Sequence, residues 1–280
     1  MLKIDNLTFG YSRKKLNYED FSLSFPKGGI YGLLGQNGVG KTTLFYLIMG
    51  MLTPKKGEVA YKGVNTLDAK PDLLSEMFIV PEEFDLPPVK IQTFAKHLSR
   101  FYPRFSNEEF LHCLSEFSLS PDESITKLSM GMRKKVYISL ALATNTNLLL
   151  MDEPTNGLDI MSKTKFRQLV SSYASDERII IISTHQVKEV ENLLDHVMII
   201  EPNRVVVDAS LADIADKFSF AEVGQNELPE NCLYSEPSVG GFSVVAENQT
   251  GNPSLVDLEL LYKAAIMNSE QVNNILNQNQ

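Results

Sequence analysis

Cysteine is scarce in this chain of 280 residues. Cys113 and Cys232 lie far apart, and neither sits in a CxxC or CxH spacing. This argues against a disulfide framework or a zinc site and leaves two ordinary reduced thiols. Long apolar runs are missing as well. The apolar runs there are, such as residues 179–182 and 197–200, fall far short of the roughly 20 residues that a membrane-spanning helix needs. The chain is therefore expected not to cross a membrane by itself. Its first ten residues, MLKIDNLTFG, hold no apolar leader and no small-residue cleavage site, so secretion is not expected. Basic residues are in deficit: 26 Lys and Arg face 35 Asp and Glu, for a net charge of −9. Nucleic acid is a poor match for that balance, because phosphate contacts need a basic surface. The absences together describe a cytoplasmic, soluble protein.

What is present is an ordinary core-forming composition, 43% hydrophobic and 22% charged, enough for one large domain or two smaller ones. LKIDNLTFGY and FSLSF alternate apolar and polar residues and are expected as half-exposed antiparallel strands. GIYGLLG reads as a buried strand, and a glycine-rich turn carries it into a helix at TTLFYLIMG. Later come FIV at 78–80, LLLM at 148–151, IIII at 179–182 and VMII at 197–200. These short continuous runs suit strands buried on both faces of a parallel sheet.

Residues 84–145 show helical patterns throughout: Phe94, Leu98 and Phe101; Phe110, Cys113, Leu114 and Phe117; Val136, Leu140 and Ala143. A separate helical lobe is expected there, with these positions as its core. After Pro202 come several polar turns, through residue 252. SLVDLELLYKAAIM then offers an apolar helix face from Leu258, Leu261, Tyr262 and Ala265, with Ser254 and Asp257 as a capping box. The final NSEQVNNILNQNQ is rich in Asn and Gln and is expected to be frayed. No internal repeat is visible.

The chemistry gathers at three places. GQNGVGKT, residues 35–42, fits G-x-x-x-x-G-K-[ST] and stands between a buried strand and a helix, where a phosphate-binding loop belongs. Its glycines let the backbone curl so that successive N–H groups point at phosphate oxygens, and the helix N-terminus adds its positive end. Lys41 supplies a point charge for the β- and γ-phosphates, and Thr42 a hydroxyl for Mg²⁺. LLLMDEP, residues 148–154, ends a strand in two carboxylates. Asp152 is placed to hold Mg²⁺, and Glu153, on the other side of the backbone, to polarise the water that attacks the γ-phosphate. Alone this motif also suits a solvated loop acid. His185 follows the strand at 179–182, a position that fits a structural hydrogen bonder as well as a catalyst.

The ordered set GQNGVGKT, LSMGM at 128–132, LLLMDEP, NGLD at 156–159 and His185 resembles the nucleotide-binding subunit of ABC transporters over roughly residues 1–215. The nearest pattern is the exporter-type subgroup in which the permease is a separate chain. The resemblance implies a P-loop NTPase of the α/β class, with a mixed, mostly parallel sheet core, an N-terminal antiparallel β subdomain and an inserted α-helical subdomain at about 84–145. Residues 216–280 would be a small C-terminal extension.

It also implies that two subunits pair head to tail around two ATP molecules. Gly35, Gln36, Asn37, Gly38, Val39, Gly40, Lys41, Thr42 and Thr43 would cradle the phosphates, and Tyr11 would stack on the adenine, a surface tyrosine being the alternative. Ser129 and Gly131 of the signature segment would reach the partner's γ-phosphate. Asp159 would stand in the loop that crosses the dimer interface, and His185 would contact the γ-phosphate. Met130 and Met132 depart from the family's usual glycine and glutamine.

A further departure is IVPEEF, which puts Glu82 where the family has a glutamine beside Mg²⁺ and the attacking water. A carboxylate can replace an amide oxygen as a metal ligand, and Glu82 is expected to tighten the requirement for Mg²⁺ unless it turns into solvent. The functional expectation is an ATPase that drives a separate membrane permease, in the export direction, as a homodimer or beside a related subunit, held through the permease at the inner face of the cell membrane. Two other readings stand beside it: a soluble ABC-type ATPase uncoupled from transport, and a regulatory protein that binds ATP without hydrolysing it.

Overall fold

Apolar residues at alternate positions make β1 (Leu2–Phe9) and β2 (Tyr18–Phe25) strands with a buried face formed by Leu2, Ile4, Phe21, Leu23 and Phe25. A computed structural model of the protein describes residues 1–12, 15–68, 70–225 and 227–277. It divides into two units: residues 1–30 with 40–184, and residues 31–39 with 185–280.

In the first unit β1 pairs antiparallel with β2 and with β4 (Lys56–Tyr61), and β4 turns back into the short β5 (Val64–Asn65). This is the expected N-terminal antiparallel sheet. β3 (Gly29–Leu34) begins here and runs into the second unit. Beyond the glycine-rich loop, α1 (Lys41–Ile48) buries Leu44, Phe45, Leu47 and Ile48, and α2 (Pro71–Leu74) is a single turn. β6 (Met77–Val80), β7 (Leu148–Asp152) and β8 (Ile179–Thr184) run parallel with β7 in the middle, and every residue of the three is buried. Each Leu or Ile so enclosed contributes about 1.5–3 kcal/mol through the water it sheds. That explains why these runs carry no polar alternation until the strands end.

The insertion is helical in three pieces, α3 (Ile91–Leu98), α4 (Asn107–Glu116) and α5 (Met130–Ala143), joined by loops and short 3-10 turns rather than by helix throughout. All three helices belong to the first unit. Ser106 and Ser129 cap α4 and α5, their hydroxyls accepting from the N–H of Glu109 and of Met132. Phe110, Cys113, Leu114 and Phe117 are buried as expected, as are Val136, Leu140 and Ala143.

The first apolar triplet is a correction. Phe101 is 72% exposed, and Phe94 and Leu98 are only half-buried. α3 stops at Leu98, so Phe101 falls outside its periodicity, and the face it buries carries Ile91 and Ala95 instead. α6 (Ile160–Ser172) follows β7 and is capped by Asp159.

In the second unit β3 runs parallel to β9 (His196–Glu201), which pairs antiparallel with β10 (Arg204–Ser210). After α7 (Leu211–Lys217) the chain makes an antiparallel sheet in the order β11 (Phe218–Gly224), β13 (Gly241–Glu247), β12 (Cys232–Ser238). The several polar turns expected across this stretch join strands that the sequence pattern does not announce.

α8 (Leu258–Met267) lies against β12, β13, β9 and β10, with Leu258, Leu261 and Ala265 buried and Tyr262 half-buried. Its cap is Asp257, which accepts from the Leu260 N–H. Ser254 instead accepts from Phe220, so the expected box does not form. α9 (Ser269–Asn277) replaces the expected frayed end through Asn277, because Val272, Ile275 and Leu276 make an apolar edge that packs on β10. Residues 278–280 of that tail lie outside the described residues. Among the described residues no helix is long and apolar enough to cross a membrane.

Candidate functional site

β7 and β8 are in register at their C-terminal ends, Asp152 opposite Ser183. Side chains at matched positions of parallel neighbours point to the same face, so the Ser183 hydroxyl meets the Asp152 carboxylate and donates to it. From α1, Thr42 Oγ1 donates to the other oxygen of Asp152 at 2.5 Å. Asp152 is 1% exposed, and two hydroxyls hold its carboxylate in one orientation.

One residue on, the chain leaves the strand at Glu153 with φ 44°, a left-handed conformation that costs a non-glycine residue about 1–2 kcal/mol. The turn is secured on both sides of the residue. Its N–H donates to the Ser183 carbonyl at 3.0 Å, and its carbonyl accepts from the Asn156 N–H at 3.2 Å. The conformation sends the carboxylate away from Asp152 toward Thr184 Oγ1, which donates to Oε2 at 3.2 Å, and toward Lys41, whose Nζ stands 3.7 Å from Oε1.

Both partners of that ion pair are almost fully buried. Burial pushes the Lys41 ammonium below its ordinary pKa, and the carboxylates of Glu153, Asp152 and Glu82 oppose that shift. An ion pair removed from water gains attraction but also costs desolvation, so it makes a poor structural brace and a good place to receive a competing anion. The start of α1 fits one. Gly40 is its N-cap with φ 118°, and a Cβ there would come 2.7 Å from the Tyr18 hydroxyl, so only glycine fits. A glycine cap also leaves no capping side chain in competition for the first N–H groups of the helix.

The oxygens of Asp152 and Thr42 fit Mg²⁺, which binds through one or two carboxylates together with phosphates and water. Among the described residues no three His, Cys, Asp or Glu side chains gather into a metal cage. Glu82 is exposed and accepts from Asn156 Nδ2 at 3.1 Å.

Elsewhere in the first unit, Tyr11 is 66% exposed, packs edge-on against Phe9 and contacts Thr43 Oγ1 through its hydroxyl at 3.3 Å. Ser129 caps α5. Gly131 lies so close to the turn after Glu153 that a Cβ would stand 2.7 Å from the Gly157 carbonyl oxygen. Asp159 accepts from the N–H and hydroxyl of Ser162 and pairs with Lys135 at 3.2 Å, contacts that hold its carboxyl far below the usual range.

The remaining expected residues belong to the second unit. Gln36, Asn37, Gly38 and Val39 line a cavity of about 160 Å³ with Ile200 and Ile266, and the Val39 N–H closes a turn onto the Gln36 carbonyl. Gly35 packs against the Ile200 carbonyl. His185 is exposed beside the short turn at Val187–Glu189. The first unit therefore brings Lys41, Thr42, Asp152 and Glu153 together.

The sequence pattern of the ABC transporter family matches residues 18–156. The ABC transporter ATP-binding protein YhaQ of Bacillus subtilis, uncharacterized, is 30% identical over 226 residues, which cover 78% of this chain and 74% of YhaQ. This chain belongs to the ABC transporter ATP-binding family. The lantibiotic transport ATP-binding protein SrtF of Streptococcus pyogenes is 28% identical, covering 74% of this chain and 90% of SrtF. Among solved structures, an ATP-binding subunit of an ABC transporter superposes with a TM-score of 0.69 at 25% identity, covering 76% of this chain and 91% of that one. The ABC ATPase fold expected from the motifs is thus the fold found, and the family function is ATP binding in a transporter.

The ABC cassette motifs account for the expected residues. They do not point to Ser183, Thr184 or Lys134, which hold Asp152 and Glu153 in place. The Ser-Thr pair after IIII carries a signal, two hydroxyls at a strand end opposite two carboxylates. Lys134, in the run MRKK, carries none.

Proposed function

We propose that this chain hydrolyses ATP to ADP and phosphate to power a separate membrane permease. The observation that carries this reading is the buried contact between Lys41 and Glu153. In a site without nucleotide the ammonium neutralises the carboxylate. When a triphosphate enters the loop, Lys41 is drawn to its phosphates, and the Glu153 carboxylate, still held by the Thr184 hydroxyl, is in place to accept the proton of the attacking water. Thr42 and Asp152 are the residues that would hold Mg²⁺, which supplies positive charge against the phosphate oxygens. Thr43 and residues 35–40 complete the phosphate cradle, Tyr11 offers an exposed ring for adenine, and Glu82 is retained as a third oxygen donor to the metal.

On the family pattern, Ser129 and Gly131 act on the nucleotide of a second subunit. Asp159 stands at the interface with that subunit, and His185 senses the γ-phosphate. Residues 1–215 form the ATPase domain in this reading, and 216–280 an extension. Likeness to SrtF, named for lantibiotic transport, supports export through a permease at the cytoplasmic face of the membrane. The presence of Lys41, Asp152 and Glu153 together disfavours a protein that binds ATP without hydrolysing it.

Steady-state ATPase assays of wild type and Glu153→Gln test the central step. The expected outcome is a loss of turnover of about 10²- to 10⁴-fold with ATP binding retained. Hydrolysis by the variant at the wild-type rate would remove Glu153 as the base. Co-purification of the tagged chain with a membrane protein of several spanning helices is the expected sign of the transporter assignment.

A further inference from the structure

Lys134 is a lysine inside the protein. It lies in the second turn of α5 and is 3% exposed. Its Nζ donates to the main-chain carbonyl of Glu153 at 3.0 Å, and among the described residues no other hydrogen-bond acceptor is seen for it. Burying an ammonium is costly unless its surroundings compensate. Here burial pushes its pKa down, and the carboxylates of Glu82, Glu153 and Asp152 oppose the shift. A lysine chosen only to fill space would be better replaced by methionine, which has nearly the same shape and no charge to desolvate.

The atom it holds explains the choice. The Glu153 carbonyl belongs to the residue with φ 44°, and it already accepts from the Asn156 N–H. The same residue is tied at its N–H to Ser183. A strained backbone persists only where its neighbours over-determine it. Lys134 adds a charged donor, stronger than a neutral one, to the peptide group that follows the left-handed residue, the side of the turn opposite the one that Ser183 holds.

We propose that Lys134 is a positioning residue for ATP hydrolysis, its buried ammonium holding the Glu153 carbonyl and thereby the left-handed turn that aims the Glu153 carboxylate. Ser129 caps α5, so the same helix that begins in the signature segment also carries the group that sets the base of its own chain. The inference rests on Glu153 acting as the base.

The test compares the purified full chain as wild type, Lys134→Met, Lys134→Gln, Glu153→Gln and the double variant Lys134→Met/Glu153→Gln, measuring kcat and KM for ATP together with thermal unfolding. A misplaced base costs on the order of 10- to 100-fold in rate without loss of substrate binding. Lys134→Met is expected to lose that much in kcat with KM within threefold of wild type, and Lys134→Gln, which keeps a donor, to recover a large part of it. Because Lys134 acts through Glu153, the double variant is expected to turn over no more slowly than Glu153→Gln alone. A Lys134→Met kcat within twofold of wild type overturns the proposal. So does a KM that rises in step with the fall in kcat, or an effect that multiplies in the double variant, either of which marks general structural damage. If Lys134→Met does not fold, Lys134→Gln decides: near-wild-type kcat supports the proposal and a tenfold loss in the folded variant overturns it. Wild-type turnover by Glu153→Gln would instead overturn the base assignment itself, a separate result.

Discussion

The two three-stranded arrays β6–β8 and β11–β13 sit at opposite extremes of the same chain's sheet chemistry. In β6–β8 no residue is exposed, and the first polar groups appear at the strand ends, Asp152, Ser183 and Thr184, directed at one another and at α1. In β11–β13 polar residues occur along the strands and are satisfied locally. Lys263 of α8 reaches Glu236 of β12 at 2.7 Å and Glu259 at 2.9 Å. Parallel strands buried on both faces can release polar side chains only at their ends, so chemistry concentrates there. An antiparallel sheet with one wet face spreads its polar groups out, where they serve solubility and packing.

Three substitutions can break or sharpen that contrast. The largest effect belongs to the buried strand end. Asp152→Asn leaves Thr42 and Ser183 with a neutral partner and is expected to lower kcat by about 10² or more, read as ATPase activity across a Mg²⁺ titration. If rates recover fully at high Mg²⁺, Asp152 serves metal affinity alone.

Next comes the extension. Phe218, at the start of β11, is completely buried. Phe218→Ala is expected to destabilise the fold by about 3–5 kcal/mol in denaturant titration while ATP hydrolysis at low temperature stays near wild type. A large loss of kcat in the folded variant would show that β11–β13 does more than pack. The smallest effect is expected at Glu82, which is exposed and already bonded to Asn156. Glu82→Gln should raise the Mg²⁺ concentration for half-maximal activity by roughly two- to threefold, the range a partly solvated charge produces at a few ångströms. Superimposable titrations would leave Glu82 as a partner of Asn156 only.

The same contrast explains what was legible in the sequence. LLLMDEP and IIII announce themselves because a strand enclosed on both faces must be apolar without interruption, and a carboxylate pair after it is conspicuous. GQNGVGKT is legible because Gly40 must adopt φ 118° beneath Tyr18. The sheet β11–β13 was missed because polar residues within its strands resemble turns when no alternation is strict. α9 was missed because Asn and Gln on its wet side outnumber the three apolar residues that anchor it. Phe101 misled for the reverse reason, as an apolar residue one turn past the end of its helix. Lys134 could not be found by pattern at all. Its neighbours Arg133 and Lys135 look the same on paper, and only the packing of α5 against the 153–157 turn distinguishes the one turned inward.

Gly131 stands against the Gly157 carbonyl with no room for a side chain of its own. Two backbones in such contact have no slack between them, so the start of α5 and the turn that follows Glu153 behave as parts of one linkage. Such a coupling needs neither a hinge nor a chain of polar contacts. It also confines drift in either loop to changes that the other can follow.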